Sequence, residues 1–319
     1  MEKIVVLDGF AENPGDLSWD GFEKFGRVTV YDRTAPEETA ERIGDATCVL
    51  TNKTGLDEAV LSRCPSVKYI GVLATGFNVV DAKAAAKRGI TVTNIPEYGT
   101  DTVAQYTMAL LLELCHHVGA HAESVRNGDW SRCPDFCYWN YPQMELGGKV
   151  MGIIGYGRIG KKTAKLAEAF GMSVLVHSNH PAPAGELTER IREVPLDELL
   201  EKSDVISLHC PLTERTKGLI CRETIAGMKD GVLLINSSRG QLIREEDLLE
   251  ALISGKVGGA AADVLSMEPP EADHPLIGAP NMLITPHIAW ASREARERLM
   301  KMAVENLEAF LSGTPIHVV

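Results

Sequence analysis

The stretch Val150–Gly160, VMGIIGYGRIG, decides the fold. An apolar, strand-like run, Val150–Ile154, leads into Gly155-Tyr156-Gly157-Arg158-Ile159-Gly160, and a helical pattern, Lys161–Phe170, follows. A GxGxxG is weak evidence alone. Between a strand and a helix it is the fingerprint of a dinucleotide site. Gly155 allows the tight turn, Gly157 lets the backbone approach a pyrophosphate, and Gly160 lets the helix pack closely on the strand. The helix start, with Arg158 and Ile159, offers N–H groups and a partial positive charge to phosphates.

The next strand run, Ser173–His177, bears on which nucleotide fits. An acid about 20 residues after the glycines would bind the ribose 2′-OH of NAD. Ser178 stands there instead, followed by Asn179 and His180. These three can hydrogen-bond a 2′-phosphate and do not repel it, so both NAD and NADP remain open. His209-Cys210-Pro211, after the run Asp204–Leu208, are candidates to line the adenine pocket.

Working outward, short β-rich runs alternate with amphipathic stretches in both directions. Toward the N-terminus the runs are Ile4–Asp8, Val28–Asp32, Ala46–Leu50, Val67–Leu73 and Ile90–Asn94. Toward the C-terminus they are Gly231–Asn236, Gly258–Val264 and Asn281–Thr285. Strands alternating with helices predict βαβ units and parallel sheets. Asp101 is read as the cap of a long helix, apolar on more than one face, buried between domains or subunits. The irregular, aromatic-rich segment Asn127–Gln143 is read as an interface arm or a lid. A final helical pattern spans Ser292–Leu311.

At 319 residues, two domains are the natural expectation. The net charge is −12 and no basic block occurs. That makes nucleic acid or an anionic membrane surface a poor partner. No apolar run is long enough for a membrane span, and the N-terminus lacks the features of a signal peptide. Seven cysteines without a CxxC suggest free thiols in a reducing cytoplasm and no metal site.

Six phrases together carry a family resemblance: VLATGFNVVD (72–81), GIIGYGRIG (152–160), HCPLTERTKGLI (209–220), LINSSRGQLI (234–243), DVLSMEPP (263–270) and TPHIAWAS (285–292). They resemble the D-2-hydroxyacid dehydrogenases along the whole chain. VLATGFNVVD, PDFCYW and PHIAWAS further resemble the branch of glycerate dehydrogenases, or hydroxypyruvate reductases. The resemblance implies two doubly wound α/β domains. A Rossmann coenzyme domain, 100–287, is inserted in a flavodoxin-like substrate domain formed by 1–99 and 288–319, with the active site in a cleft between them. It implies a homodimer, in which the segment near Cys115–Glu145 reaches toward the partner. It assigns Arg239, Glu268 and His287 to catalysis. Asp263 and Thr102 would contact the cofactor, and backbone N–H groups of Leu73, Ala74, Thr75 and Gly76 would hold the substrate carboxylate.

The chemistry asks for the same residue types. Reducing a 2-keto acid needs a hydride on one face of the carbonyl and a proton for its oxygen. Arg239 offers a permanently charged fork for a carboxylate. His287 can donate the proton in reduction and accept it in oxidation. Glu268 is expected to hydrogen-bond His287, orient the ring and favour imidazolium. His116 and His117 are read as structural, Lys53 as a surface residue, and Trp139 and Trp290 equally as pocket walls or ordinary packing. The favoured reaction is hydroxypyruvate to D-glycerate, with glyoxylate reductase and D-lactate-type dehydrogenase as alternatives. A nucleotide-sensing, corepressor-like protein is the rival of another class.

Overall fold

The computed structural model describes residues 1–183 and 185–319. The chain divides into two compact units, Met1–Gly99 with Ala291–Val319, and Thr100–Trp290. The return to the first unit comes at Ala291, slightly later than the expected 288. Residues 288–290 stay with the second unit because the Asp263 carboxylate accepts from the N–H groups of Ile288 (2.9 Å) and Ala289 (2.8 Å). In addition, Trp290 Nε1 donates to the His287 carbonyl at 2.9 Å.

The first unit is a five-stranded sheet of β1 (Glu2–Val6), β2 (Gly26–Val30), β3 (Cys48–Thr51), β4 (Tyr69–Val72) and β5 (Thr91–Thr93). The order is β2-β1-β3-β4-β5 and every pairing is parallel. β3 and β4 are buried along their whole length, so they read as continuous apolar runs. The doubly wound order reverses between β1 and β3, where open α/β sheets place ligands at the strands' carboxyl ends.

Two short helices of this unit are capped by aspartates. Asp57 Oδ1 accepts from Val60 N at 2.8 Å, and Asp81 Oδ1 from Ala84 N at 2.9 Å. The helix Arg293–Leu311 starts at the Ser292 cap and buries Leu299, Ala303 and Leu307, each four residues apart, on one face. Phe310 stacks its ring 4.9 Å from that of Tyr69. The tail then runs antiparallel beside β5, with Asn94 N donating to His317 O (3.1 Å) and Val319 N to Val92 O (3.0 Å). It covers a sheet edge that would otherwise be open.

The second unit is a seven-stranded sheet of β6 (Val150–Ile154), β7 (Ser173–His177), β8 (Ile191–Glu193), β9 (Val205–Leu208), β10 (Val232–Asn236), β11 (Val257–Ala262) and β12 (Met282–Ile284). The order β12-β11-β10-β9-β6-β7-β8 is parallel throughout and reverses between β6 and β9. This is the Rossmann order with an added edge strand. Apolar layers cover both faces.

The long helix runs Thr100–His116, so Asp101 lies inside its first turn rather than capping it. A carboxylate there still suits the helix N-terminus, and it pairs with Lys162 at 2.7 Å. The extra apolar faces of this helix pack on the helix Arg158–Ala169 and on β10 and β11, all within the second unit. The Asn127–Gln143 segment holds one short helix, Asp129–Arg132, and is otherwise irregular. Its path is tied down by Ser124 Oγ to Tyr138 Oη (2.8 Å) and by Trp130 Nε1 donating to Phe136 O (3.0 Å). Phe136 and Trp139 nevertheless remain 89% and 68% exposed. Among the described residues no helix is long and apolar enough to cross a membrane.

Candidate active site

In the second unit the glycine loop leaves β6 with Gly155 at φ +103°, a conformation that L side chains rarely adopt. A Cβ on Gly155 would meet the Cys210 N at 2.4 Å, and one on Gly160 would meet the Gly155 carbonyl oxygen at 2.1 Å. These two positions are closed by backbone. At Gly157 a Cβ would meet nothing within 4 Å. Gly157 also caps the helix Arg158–Ala169, and no side-chain oxygen occupies that cap. The cradle is therefore open where a pyrophosphate would approach, with the helix start and Ile159 behind it, and it fits a dinucleotide.

Ser178, Asn179 and His180 follow β7, and Ser178 Oγ accepts from His180 N at 3.4 Å. No carboxylate stands among them. His209 follows β9. Its N–H donates to Ile154 O (2.8 Å) and its Nε2 lies 2.9 Å from Ser207 Oγ. Burial pushes this imidazole down to about 4, so it stays neutral at physiological pH and is structural. Cys210 is buried beneath the glycine turn, and Pro211 O accepts from Thr216 Oγ1 at 2.7 Å. Thr102 sits in the first turn of the long helix.

Three loops at the carboxyl ends of β10, β11 and β12 carry the candidate catalytic groups. Arg239 is exposed in the turn after β10. Asn236 shapes that turn, its Nδ2 donating to Arg239 O (2.8 Å) and its Oδ1 accepting from Ser238 N (3.0 Å). Glu268 lies after β11, and its Oε1 accepts from Leu265 N at 3.1 Å. His287 lies after β12 at φ +55°, a left-handed position unusual for a non-glycine residue. Its Nδ1 is 2.6 Å from Glu268 Oε2. Both side chains are about one-third exposed.

The loops are joined to one another. A Cβ on Gly240 would meet the Leu265 carbonyl carbon at 1.9 Å, so the Arg239 and Glu268 loops touch backbone to backbone. Gln241 Nε2 donates to Ser266 O at 2.7 Å. The Glu245 carboxylate accepts from Ser266 N (2.8 Å) and Oγ (2.6 Å). It also lies 3.2 Å from His274 Nε2, whose Nδ1 accepts from Leu276 N at 3.3 Å. Glu245, Ser266 and His274 had no role assigned from the sequence: Ser266 stands inside the phrase DVLSMEPP, and Glu245 and His274 stand in polar stretches.

Asp263, expected at the cofactor, is 1% exposed. Its carboxylate accepts from Thr285 Oγ1 (2.6 Å) and from the N–H groups of Ile288 and Ala289. The residue holds the His287 loop from below. Burial pushes its carboxyl up, against those three hydrogen bonds.

In the first unit, Leu73, Ala74, Thr75 and Gly76 follow β4. Their carbonyls are engaged: Leu73 O accepts from Asn52 Nδ2 (3.3 Å), Ala74 O from Ile95 N (3.0 Å) and Thr75 O from Asn94 Nδ2 (2.7 Å). Thr75 Oγ1 donates to Ile95 O at 2.7 Å. The Leu73 N–H, expected to hold the substrate carboxylate, donates to Thr51 O at 2.8 Å instead, whereas among the described residues nothing accepts from the N–H groups of Ala74, Thr75 or Gly76. Lys53 is exposed beside a cavity of about 570 Å³ lined by Asp8, Thr54 and Asp81.

Residues 108–289 match the family described as D-isomer specific 2-hydroxyacid dehydrogenase, NAD binding domain. The chain is 56% identical to the hydroxypyruvate reductase of Blautia hydrogenotrophica over 99% of both chains. It is 43% identical to the glycerate dehydrogenase of Methylorubrum extorquens, over 100% of this chain and 99% of that one. The apo-structure of D-lactate dehydrogenase from Escherichia coli superposes with a TM-score of 0.87 at 29% identity, covering 100% of each. A dinucleotide cradle, a histidine–carboxylate pair and these similarities agree: the chain belongs to the D-isomer specific 2-hydroxyacid dehydrogenase family, NAD- or NADP-dependent oxidoreductases acting on CH–OH groups.

Proposed function

We propose that this enzyme interconverts hydroxypyruvate and D-glycerate and reduces glyoxylate as a second substrate. The observation that carries the catalytic part is the 2.6 Å contact between His287 Nδ1 and Glu268 Oε2. A carboxylate on Nδ1 fixes the ring and leaves Nε2 to handle the proton. The hydroxypyruvate reductase and glycerate dehydrogenase relatives support the substrate. Glyoxylate reductases at 38% identity support the second activity.

In the reduction, His287 gives its proton to the substrate's carbonyl oxygen as charge develops there. Glu268, 2.6 Å from Nδ1, keeps the ring aimed. Arg239 offers a planar fork suited to a carboxylate. Within the first unit, the N–H groups at Ala74–Gly76 are suited to hold the substrate carboxylate. Asp263 sets the height of the His287 loop. When bound, the nicotinamide supplies the hydride to C2. Gly155, Gly157, Arg158, Ile159 and Gly160 would hold the pyrophosphate, Ser178 and Asn179 the ribose, and His209-Cys210-Pro211 the adenine side. Without a carboxylate at 178–180, NADPH is accepted as well as NADH.

The exposed Phe136, Trp139 and Trp130 support a homodimer, because an ordered arm with bare aromatic rings calls for a covering surface. The seven free thiols support a reducing, cytoplasmic setting. The decisive experiment is kcat/KM for hydroxypyruvate, glyoxylate, pyruvate and 2-ketobutyrate, each with NADH and NADPH. Hydroxypyruvate is expected to lead; preference for pyruvate would overturn the substrate and keep the family.

A further inference from the structure

The loop after β1 carries a carboxyl group with no role in the chemistry above. Glu12 is 0% exposed. Its Oε1 accepts from Asn52 Nδ2. Its Oε2 and the Asn52 Oδ1 are both buried, and among the described residues neither has a hydrogen-bond partner. If Glu12 were ionised, both orphans would be acceptors, and unpaired buried acceptors are costly. One proton on Oε2 turns that atom into a donor. An acid and an amide then make two complementary bonds, N–H to carboxyl oxygen one way and O–H to amide oxygen the other.

The surroundings favour the neutral form. Arg296, on the C-terminal helix, lies against this loop, but its guanidinium is held by Asp16 through two bonds of 2.7 Å and by the Glu12 carbonyl oxygen at 3.0 Å. Lys53, after β3, is exposed. Asp8, at the end of β1, accepts from Asn52 N (2.8 Å), Lys53 N (2.6 Å) and Thr54 N (2.7 Å), and adds negative charge nearby. Burial, with Asp8 second, pushes the Glu12 carboxyl up to about 9 against the opposing pull of Lys53 and Arg296.

We infer that Glu12 is a neutral acid donating its proton to Asn52 Oδ1, and that this acid–amide pair positions the Leu73–Gly76 segment. The link is Asn52 Nδ2, which donates to both Glu12 Oε1 and Leu73 O. With its amide clamped, Asn52 fixes the carbonyl of Leu73 and thereby the direction of the N–H groups that follow. Glu12 is a positioning residue, and the inference rests on the reading that Ala74–Gly76 hold the substrate carboxylate.

The test has a substrate-free arm and a kinetic arm. In the unfolded chain the Glu12 carboxyl ionises near its usual 4.5, and in the folded chain near 9. Its contribution to stability is therefore full below 4.5 and is lost as pH rises through about 9. Glu12→Gln makes the same two bonds and has no proton to lose. Its Tm is expected to gain on the wild type's as pH goes from 5 to 9. A protonated-carboxyl band in the infrared spectrum at pH 7 should vanish in the same variant. Identical Tm profiles, or no such band, overturn the neutral acid.

In the kinetic arm Glu12→Ala is expected to raise the keto-acid KM about 3–10-fold, the scale of one buried hydrogen bond, with kcat within about 2-fold. Glu12→Gln restores KM. Failure of Gln to rescue, or an unchanged KM in Glu12→Ala, overturns the positioning role. Asn94→Ala separates the causes, since Asn94 holds Thr75 O from the other side. If it raises KM where Glu12→Ala does not, the Glu12 inference alone fails. If neither changes KM, the reading of the segment fails with it.

Discussion

At the β6/β9 switch of the second unit the chain offers backbone. Gly157 faces open space, and the helix behind it has no side-chain cap. At the β1/β3 switch of the first unit the equivalent place is lined by side chains. Asp8 gathers three N–H groups, and Glu12 and Asn52 pair beneath the next loop. The same topological address is thus used in two ways. One sheet leaves a backbone cradle suited to phosphates, and the candidate catalytic loops stand at the ends of its other strands. The other lines a cavity of about 570 Å³ with side chains such as Asp8, and leaves the N–H groups of Ala74–Gly76 without an acceptor among the described residues. Substitutions at His287 and the loops that hold it should therefore act on turnover, and those around Ala74–Gly76 on KM.

The largest expected effect is His287→Ala, a loss of about 10²–10⁴ in kcat with coenzyme affinity retained in a fluorescence titration. Turnover close to wild type would break the assignment of chemistry to the second unit. Gly240→Ala comes next. Its Cβ would press on the Leu265 carbonyl carbon at 1.9 Å, so the Arg239 and Glu268 loops must part. Misplacement on the ångström scale costs about 10²-fold in kcat/KM; a loss under 10-fold would show that the loops need not touch.

Asn94→Ala sharpens the other side of the comparison. Losing its bond to Thr75 O should raise the keto-acid KM by roughly 2–10-fold, following the net worth of one hydrogen bond. A fall in kcat instead would blur the division between units. The smallest effect is Lys53→Ala. Among the described residues its backbone N–H donates to Asp8, and its side chain is exposed. Its Tm should shift by what about 0.5 kcal/mol produces, and kcat/KM should hold; a large loss would draw Lys53 into the substrate site.

What could be read in advance depended on how local its cause was. The glycine loop is a contiguous pattern whose reason is backbone sterics, so it was visible in eleven letters. His287 and Glu268 came from residue type and family phrases, and their 2.6 Å contact joins two loops the sequence keeps apart. β8, Ile191–Glu193, was missed because three residues, two of them exposed, carry no periodicity. The burial of Asp263 and of Glu12 was invisible for a different reason. An acid reads as a solvated charge until tertiary packing supplies three donors in one case and a facing amide in the other. The long helix was read as an interface element because its apolar residues exceed one face. Within the second unit those residues pack on the helix Arg158–Ala169 and on β10 and β11.

The C-terminal strip beside β5 also bears on how the chain is made. Residues 100–290 form a contiguous unit, whereas the first unit needs residues 291–319 to set Phe310 on Tyr69 and to cover β5. Synthesis at roughly 5–20 residues per second separates the two by a few seconds. During that interval the inserted unit can fold while β5 waits with an open edge. Until residues 317–319 emerge and pair with β5, that edge is open to edge-to-edge aggregation.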